Sequence, residues 1–280
     1  MTSENFTNSP STEEIQTALP GYDRIDLIAT GGMGAVYKAR QMSLDRMVAI
    51  KVLTHKSSST PAFHQFFKSE AQAMAILNHQ NIASIYDYGE TDGMLYIVMQ
   101  YIEGRSLHAV AHGRAVVPHE AATLVSKVSN ALSSAHKLGI VHRDIKPANI
   151  IIDTKINPVV VDFGLAHHSN KSTIQEGMVY GTQGYTAPEV FSPPYEASQQ
   201  SDLFSLGVIL HELLTGQMPS FPYLPPSHFI TLDPRYDSVV MRAIHPNTEM
   251  RHPTTEQLSS DLDKIIKGKA LSTSPLLSNY

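Results

Sequence analysis

The sequence has no cysteine. That excludes disulfides, thiolate metal sites and cysteine nucleophiles, and it fits a reducing, cytoplasmic setting. No apolar run approaches the roughly 20 residues that a membrane-spanning helix needs, so no membrane segment is expected. There is no excess of positive charge either: 21 Lys and Arg stand against 26 Asp and Glu, a formal net charge of −5. Nucleic acid and anionic membrane surfaces favour basic patches, and neither is expected as the main partner. The first residues lack the basic start and apolar stretch of a signal peptide. They are polar, carry Glu4, Glu13 and Glu14, and read over 1–21 as a flexible tail. A second short tail, rich in Ser, is expected over 268–280. The histidines, His167 and His168 included, show no metal-ligand spacing and read as solvated or packed residues. No internal repeat is visible.

What is present suffices for a real core, since 42% of the 280 residues are hydrophobic. Short β-type runs come first, at 24–29, 35–39 and 47–53, separated by Gly-rich or polar turns. A helix fits 62–77, and two more strands fit 83–88 and 94–100. Beyond Gly104 the pattern changes. Ala121, Leu124, Val125, Val128, Leu132, Ala135 and Leu138 mark a long amphipathic helix opened by Pro118. The stretch 203–214 is nearly all apolar and reads as a buried helix, and Thr254 to Gln257 has capping-box spacing ahead of another. A strand-rich first third and a helix-rich remainder predict two lobes with a cleft near 100–104.

Ala29-Thr-Gly-Gly-Met-Gly-Ala-Val36 lies between two strand-like runs. Glycines let backbone N–H groups approach phosphate oxygens without a side chain in the way. Alone, Gly31, Gly32 and Gly34 read equally well as a hairpin turn. Val48-Ala-Ile-Lys51 changes the balance, because a Lys ending an apolar strand needs an anion. The following helix offers one: Phe63, Phe67, Glu70, Met74 and Leu77 form a single stripe, so Glu70 interrupts an apolar face. A structural ion pair is one reading of Lys51 and Glu70. The glycine turn upstream favours the other, in which Glu70 orients Lys51 toward phosphates.

Ile140-Val-His-Arg-Asp144-Ile-Lys146-Pro-Ala-Asn149 then puts a carboxylate, an ammonium and an amide within six residues. Strands follow at 149–152 and 159–161, and Asp162-Phe-Gly164 closes the second. Acidic groups and an amide at strand ends suit a hard cation such as Mg²⁺, which prefers oxygen ligands and accompanies substrate phosphates.

As an ordered set, these motifs resemble the eukaryotic-type (Hanks-type) serine/threonine protein kinases, over about 22–267. The Gly-Gly-Met-Gly-x-Val-Tyr form of 31–37 resembles their bacterial members. The resemblance implies an α+β, bilobal fold: a small β-rich N-lobe with one main helix over about 22–102, and a larger helical C-lobe over about 103–267. It implies transfer of the γ-phosphoryl of ATP to Ser or Thr of protein substrates, with Mg²⁺ or, in its place, Mn²⁺. Gly31, Gly32 and Gly34 would cover the phosphates. Ala29, Val36, Ala49 and Ile151 would line the nucleotide pocket, Met99 would gate it, and the backbone of Gln100 and Ile102 would read the base. Lys51 would hold the α/β-phosphates, oriented by Glu70. Asp144 would take the substrate hydroxyl proton, Lys146 would neutralise the γ-phosphoryl, and Asn149 and Asp162 would ligate the metal. Ala187-Pro188-Glu189 would end the activation segment, Glu189 pairing with Arg251, while Asp202 would brace the catalytic loop. His142 and Phe163 would be packing residues.

Within the family the chain resembles, Lys146 two residues after Asp144, and Gly181-Thr182 ahead of Ala-Pro-Glu with Thr182 placed to hydrogen-bond Asp144, imply Ser/Thr rather than Tyr as acceptor. Arg143 is a permanent cation beside Asp144, so a phosphate on Ser169, Ser172 or Thr173 would order the activation segment against it. The sequence departs from the family pattern where Ala29 stands for the first glycine and where prolines crowd 217–232. Those prolines preclude the usual helix there. A pseudokinase scaffold would have lost Lys51, Asp144 or Asp162, and a small-molecule kinase would lack Ala-Pro-Glu; this chain keeps all of them.

Overall fold

The structure, a computed structural model, describes residues 9–31, 34–53, 61–163, 182, 184–193 and 197–271, without the side chains of 61–63 and 66. The described residues divide into two compact units. One holds those up to Asn78 together with Ala83–Tyr101, the other His79–Ile82 together with those from Ile102 onward.

The first unit is a five-stranded antiparallel sheet of β1 (Tyr22–Gly31), β2 (Gly34–Gln41), β3 (Arg46–Leu53), β4 (Ile85–Thr91) and β5 (Met94–Gln100), in the order β1-β2-β3-β5-β4. Strand β3 is apolar at successive positions, the mark of a strand covered on both faces. Its register puts Tyr37, Ile50 and Val98 in one row and Val36, Lys51 and Ile97 in the next. Neighbouring rows point to opposite faces. The first row belongs to a core with Ala35, Ala39, Val48, Val52 and Met94.

That core also contains Ile15 and Leu19, and here the expectation of a flexible tail over 1–21 is corrected. Thr12–Ala18 is a helix, α1, opened by a reciprocal capping box. The Ser11 hydroxyl accepts from the Glu14 N–H at 3.2 Å, and the Glu14 carboxylate accepts from the Ser11 N–H at 2.7 Å. Glu13 and Glu14, which made the segment look solvated, are exposed in the first turn, where they complement the helix dipole. Ile15 is fully buried. Burying such a side chain is worth about 1.5–3 kcal/mol, and it is packing of this kind that holds so short a helix. Helix α2 (Pro61–Ala75) is the unit's main helix, with Phe67 and Met74 buried and Glu70 half-buried.

The second unit holds a small sheet of β6 (Gly104–Ser106), β7 (Ile150–Asp153) and β8 (Pro158–Val160). Around it stand α3 (Leu107–Ala111), α4 (Pro118–His136), α5 (Gln199–Thr215), α6 (Pro234–Ala243) and α7 (Thr255–Ile266). Helix α4 packs on α5 and α7, and α5 on α6. Every residue of α5 from Ser201 to Thr215 is buried, as its apolar run implies. At Gly207 a Cβ would lie 2.6 Å from the Ala243 Cβ, so α5 and α6 approach too closely for any side chain there. Thr254 caps α7 by accepting from the Gln257 N–H at 3.1 Å, but the Gln257 side chain turns to Asp261, so the capping-box spacing yields one of its two bonds. The tail expected over 268–280 begins with residues that close this helix: the Lys269 N–H donates to the Lys264 carbonyl at 2.7 Å. Residues 79–82, expected in the N-lobe, belong to the second unit, where the Asn81 amide donates to the Pro158 carbonyl at 2.6 Å. Between α5 and α6 the prolines leave only a 3-10 turn, Pro226–His228. The architecture is the α+β one expected. No helix among the described residues is long and apolar enough to cross a membrane.

Burial in the second unit carries a pH signature. His252 is 1% exposed. Its burial, reinforced by the Arg242 charge and opposed by Asp261, holds its pKa down to about 3 from an ordinary 6.5. Between those values the unfolded chain binds a proton that the folded chain refuses, so stability falls as pH is lowered. The expected slope is about 1.4 kcal/mol per pH unit for each such histidine. Burial shifts His142 and His211 in the same direction. Urea midpoints measured from neutral pH downward should fall, and less steeply in His252→Phe. Identical slopes in the two proteins would discard the assignment.

Candidate active site

The loop between α4 and β7 gathers the polar groups that the sequence placed within six residues. The Lys146 Nζ lies 2.7 Å from the Asp144 Oδ2 and donates to the Thr182 hydroxyl at 2.9 Å. That hydroxyl in turn donates to the Asp144 Oδ1 at 3.1 Å. The Asn149 amide nitrogen donates to the Asp144 carbonyl at 2.8 Å and to its Oδ2 at 3.1 Å. Asp144 and Lys146 are each about a quarter exposed, at 23% and 24% of the side chain. A carboxylate, an ammonium and a hydroxyl thus meet where solvent, and a substrate, still have access. With its nitrogen committed to Asp144, Asn149 presents its oxygen to a further partner.

The loop is held from beneath by α5. Asp202, 1% exposed, accepts the backbone N–H groups of His142 and Arg143, each at 2.8 Å, and contacts the His136 Nε2 at 2.8 Å. Those bonds fix Arg143 at φ 70°, a conformation that few non-glycine residues adopt. His142 is fully buried. Its Nδ1 accepts from the Asp144 N–H at 3.3 Å, so its Nε2 is the protonated nitrogen that donates to the Val161 carbonyl at 3.0 Å. Burial keeps this ring neutral, and it packs against Phe163 with centroids 4.5 Å apart and the rings tilted by 45°. One imidazole therefore couples Asp144 to the residue preceding Asp162. The Val161 N–H also donates to the Asn149 carbonyl at 2.9 Å. Asp162 itself has φ 62°. Asn149 and Asp162 supply the oxygen donors that suit a hard divalent cation. Among the described residues no group of three or more His, Asp or Glu is gathered to hold a metal by itself.

Beyond Thr182, the Glu189 carboxylate forms a two-pronged pair with Arg251, both N···O distances 2.8 Å. The sequence reading missed Tyr185 and Glu212. The buried Tyr185 hydroxyl donates to the Glu212 carboxylate, and burial with that bond pushes its pKa far up. His112 holds the other Glu212 oxygen at 3.3 Å. The clue was present: Glu212 is the one carboxylate in the apolar run 203–214, the same anomaly that marked Glu70. Ser169, Ser172, Thr173, Gly32, His167 and His168 lie outside the described residues.

In the first unit Gly31 and Gly34 face each other at the end of the β1–β2 pair. A Cβ on Gly34 would fall 1.9 Å from the Val52 carbonyl oxygen, and its φ is 152°, so only glycine fits. Val36, Lys51 and Ile97 share a row across the sheet, and Ala49 is in register with Met99. Ala29 pairs with Val36. Glu70 is half-buried on α2, and Gln100 ends β5. In the second unit Ile102 is half-buried, and Ile151 sits on β7 in register with Ser106 and Val159.

Residues 22–274 match the family described as protein kinase domain. The chain is 34% identical over 272 residues to serine/threonine-protein kinase PknB of Mycolicibacterium smegmatis, covering 89% of this chain and 43% of that protein. It is 36% identical over 271 residues to PknB of Mycobacterium tuberculosis, with the same coverage. To PrkC of Bacillus subtilis it is 42% identical over 201 residues, covering 71% of this chain and 31% of that one. The chain spans less than half the length of these curated relatives. Among solved structures, the M. tuberculosis PknI kinase domain superposes with a TM-score of 0.71 at 27% identity, covering 87% of this chain and 96% of that one.

Proposed function

The chain belongs to the protein kinase domain family, and from that premise we propose that it is an active serine/threonine protein kinase, transferring the γ-phosphoryl of ATP to hydroxyls of protein substrates. The observation that carries this reading is the Asp144–Lys146–Thr182–Asn149 cluster. An acceptor hydroxyl beside Asp144 is oriented by, and gives its proton to, the carboxylate. Its oxygen bonds to the γ-phosphorus as the bond to the β-phosphate oxygen breaks and ADP departs. Lys146, held against Asp144, places positive charge where the transferred group gathers negative charge. Asn149 and Asp162 would hold Mg²⁺, which supplies Lewis-acid neutralisation of the phosphates when bound. Lys51, oriented by Glu70, and the Gly31–Gly34 turn would hold the nucleotide phosphates.

We also read Ser169, Ser172 and Thr173 as sites where the chain phosphorylates itself, with Arg143 as the cation that receives the phosphate. The alternative of an ATP-binding scaffold has no feature in its favour, because Lys51, Asp144 and Asp162 are all present.

The test is incubation of the purified chain with γ-labelled ATP, Mg²⁺ and a protein acceptor, followed by phosphosite mapping. Phosphoserine and phosphothreonine are expected, with phosphate within 169–173. Lys51→Met should lower turnover by about 10²–10³-fold, the usual loss when one electrostatic stabiliser is removed. Near-normal turnover in Lys51→Met would remove that residue from the site. No transfer by a wild-type chain shown to bind ATP would overturn the enzyme reading.

A further inference from the structure

We propose that α1 is a positioning element for nucleotide binding, holding the strands that carry the glycine turn and Lys51 from the sheet face opposite to Lys51. The inference rests on the reading above that those groups take ATP phosphates.

Side chains alternate along a strand, so Lys51 points away from its neighbours Ile50 and Val52. Both neighbours are fully buried in the core that Ile15 and Leu19 complete. Helix α1 therefore forms part of the wall behind the strand segment that presents Lys51. The glycine turn is tied to the same wall. The Gly34 backbone packs so closely on the Val52 carbonyl that no Cβ fits between them. Three residues on, Tyr37 is fully buried, and its hydroxyl donates to the Pro10 carbonyl just ahead of the Ser11 cap.

Further bonds fasten α1 to the rest of the sheet. The Gln16 amide donates to the Tyr22 carbonyl at 2.5 Å, at the start of β1. The Thr91 hydroxyl, at the end of β4, donates to the Ala18 carbonyl at 3.4 Å. One short helix thus pins β1, β2 and β4 by hydrogen bonds and β3 by packing. Gly31 and Gly34 have no side chains to pack, so their placement depends on the strands that carry them.

Ile15→Asp puts a charge where no water reaches and releases α1. Calorimetry with ATP and Mg²⁺, run well below the variant's melting temperature, should show affinity about tenfold weaker, as when the binding-competent arrangement falls to about a tenth of the population. KM for ATP should rise by the same factor, with kcat within about twofold of wild type, since bound nucleotide restores the arrangement. Ile15→Leu should bind as wild type does. Tyr37→Phe keeps the ring in the core and removes only the tie to Pro10; it should weaken ATP binding to an intermediate degree, and it decides the matter where Ile15→Asp does not fold. Unchanged affinity in Tyr37→Phe and in any folded Ile15→Asp, with only the melting temperature lowered, overturns the proposal and leaves α1 a stabiliser. A wild-type chain that does not bind ATP at all overturns the proposed function instead, and this inference with it.

Discussion

Asp144→Asn should retain ATP binding and lose phosphoryl transfer by about 10²–10⁴-fold, the range expected for loss of a positioned proton acceptor. The substitution keeps the shape of the side chain. An amide oxygen still accepts from Thr182, and the loop remains fixed by the two bonds from Asp202 to the backbone of His142 and Arg143. What disappears is the negative charge that steadies Lys146 at 2.7 Å and that, on the proposed function, would take the acceptor's proton. Asp162→Asn should behave differently, because on the proposed function it removes a charged oxygen donor that would hold the metal. It should weaken Mg²⁺-dependent ATP binding before any chemistry occurs. Calorimetry with and without Mg²⁺, paired with single-turnover transfer, separates the two. Equal loss of nucleotide binding in both variants would falsify this division of roles.

The residues of the proposed site stand out in the sequence more plainly than parts of the scaffold around them. Lys51, Glu70 and Asp162 are legible because each is a charge in an apolar setting, and burying charge is costly enough that a reason for it must exist; Asp144 is legible by its company, an ammonium and an amide within six residues. By the same logic Glu212 was legible, but the apolar run 203–214 drew attention to its core role and hid the one carboxylate in that run. Helix α1 was unreadable by composition, since five of its seven residues are polar. Its apolar side, Ile15 with Ala18 and Leu19 one turn on, is too short for periodicity to stand out. The clue lay elsewhere, in β3, whose run of apolar residues on both alternations requires a cover on each face. The face that carries Ile50 and Val52 has its cover in the segment before β1, through Ile15 and Leu19. In the same way Thr254 and Gln257 have the spacing of a reciprocal cap, yet Asp261 one turn later competes for the Gln257 amide and takes it. Local spacing says which bonds are available, and neighbours one turn on decide which of them forms.

Arg251→Met should cost about 3–5 kcal/mol and lower the melting temperature by on the order of 10 °C. The Arg251 side chain is fully buried, and its guanidinium serves four acceptors at once. It pairs with Glu189, donates to the carbonyls of His245 at 2.7 Å and Gln200 at 2.8 Å, and reaches that of Pro246 at 3.3 Å. It also lies over the Phe204 ring, 4.9 Å from its centroid. Methionine fills much of the volume but satisfies none of those oxygens, and a buried carbonyl left without a donor costs about 1–3 kcal/mol. Lysine should rescue poorly, because a point charge on a flexible stem cannot span a carboxylate and several carbonyls in one plane. Glu189→Gln should be milder, since that side chain is 25% exposed and Arg251 keeps its backbone acceptors. The two losses have different functional reach. Glu189 closes the segment that holds Thr182 and Tyr185, so its loss should impair transfer to a protein acceptor more than it lowers the melting temperature. Thermal melts of Arg251→Met, Arg251→Lys and Glu189→Gln, run beside their transfer rates, check the ranking. A Glu189→Gln protein less stable than Arg251→Met would show that the carboxylate, not the guanidinium, is the hub of this contact.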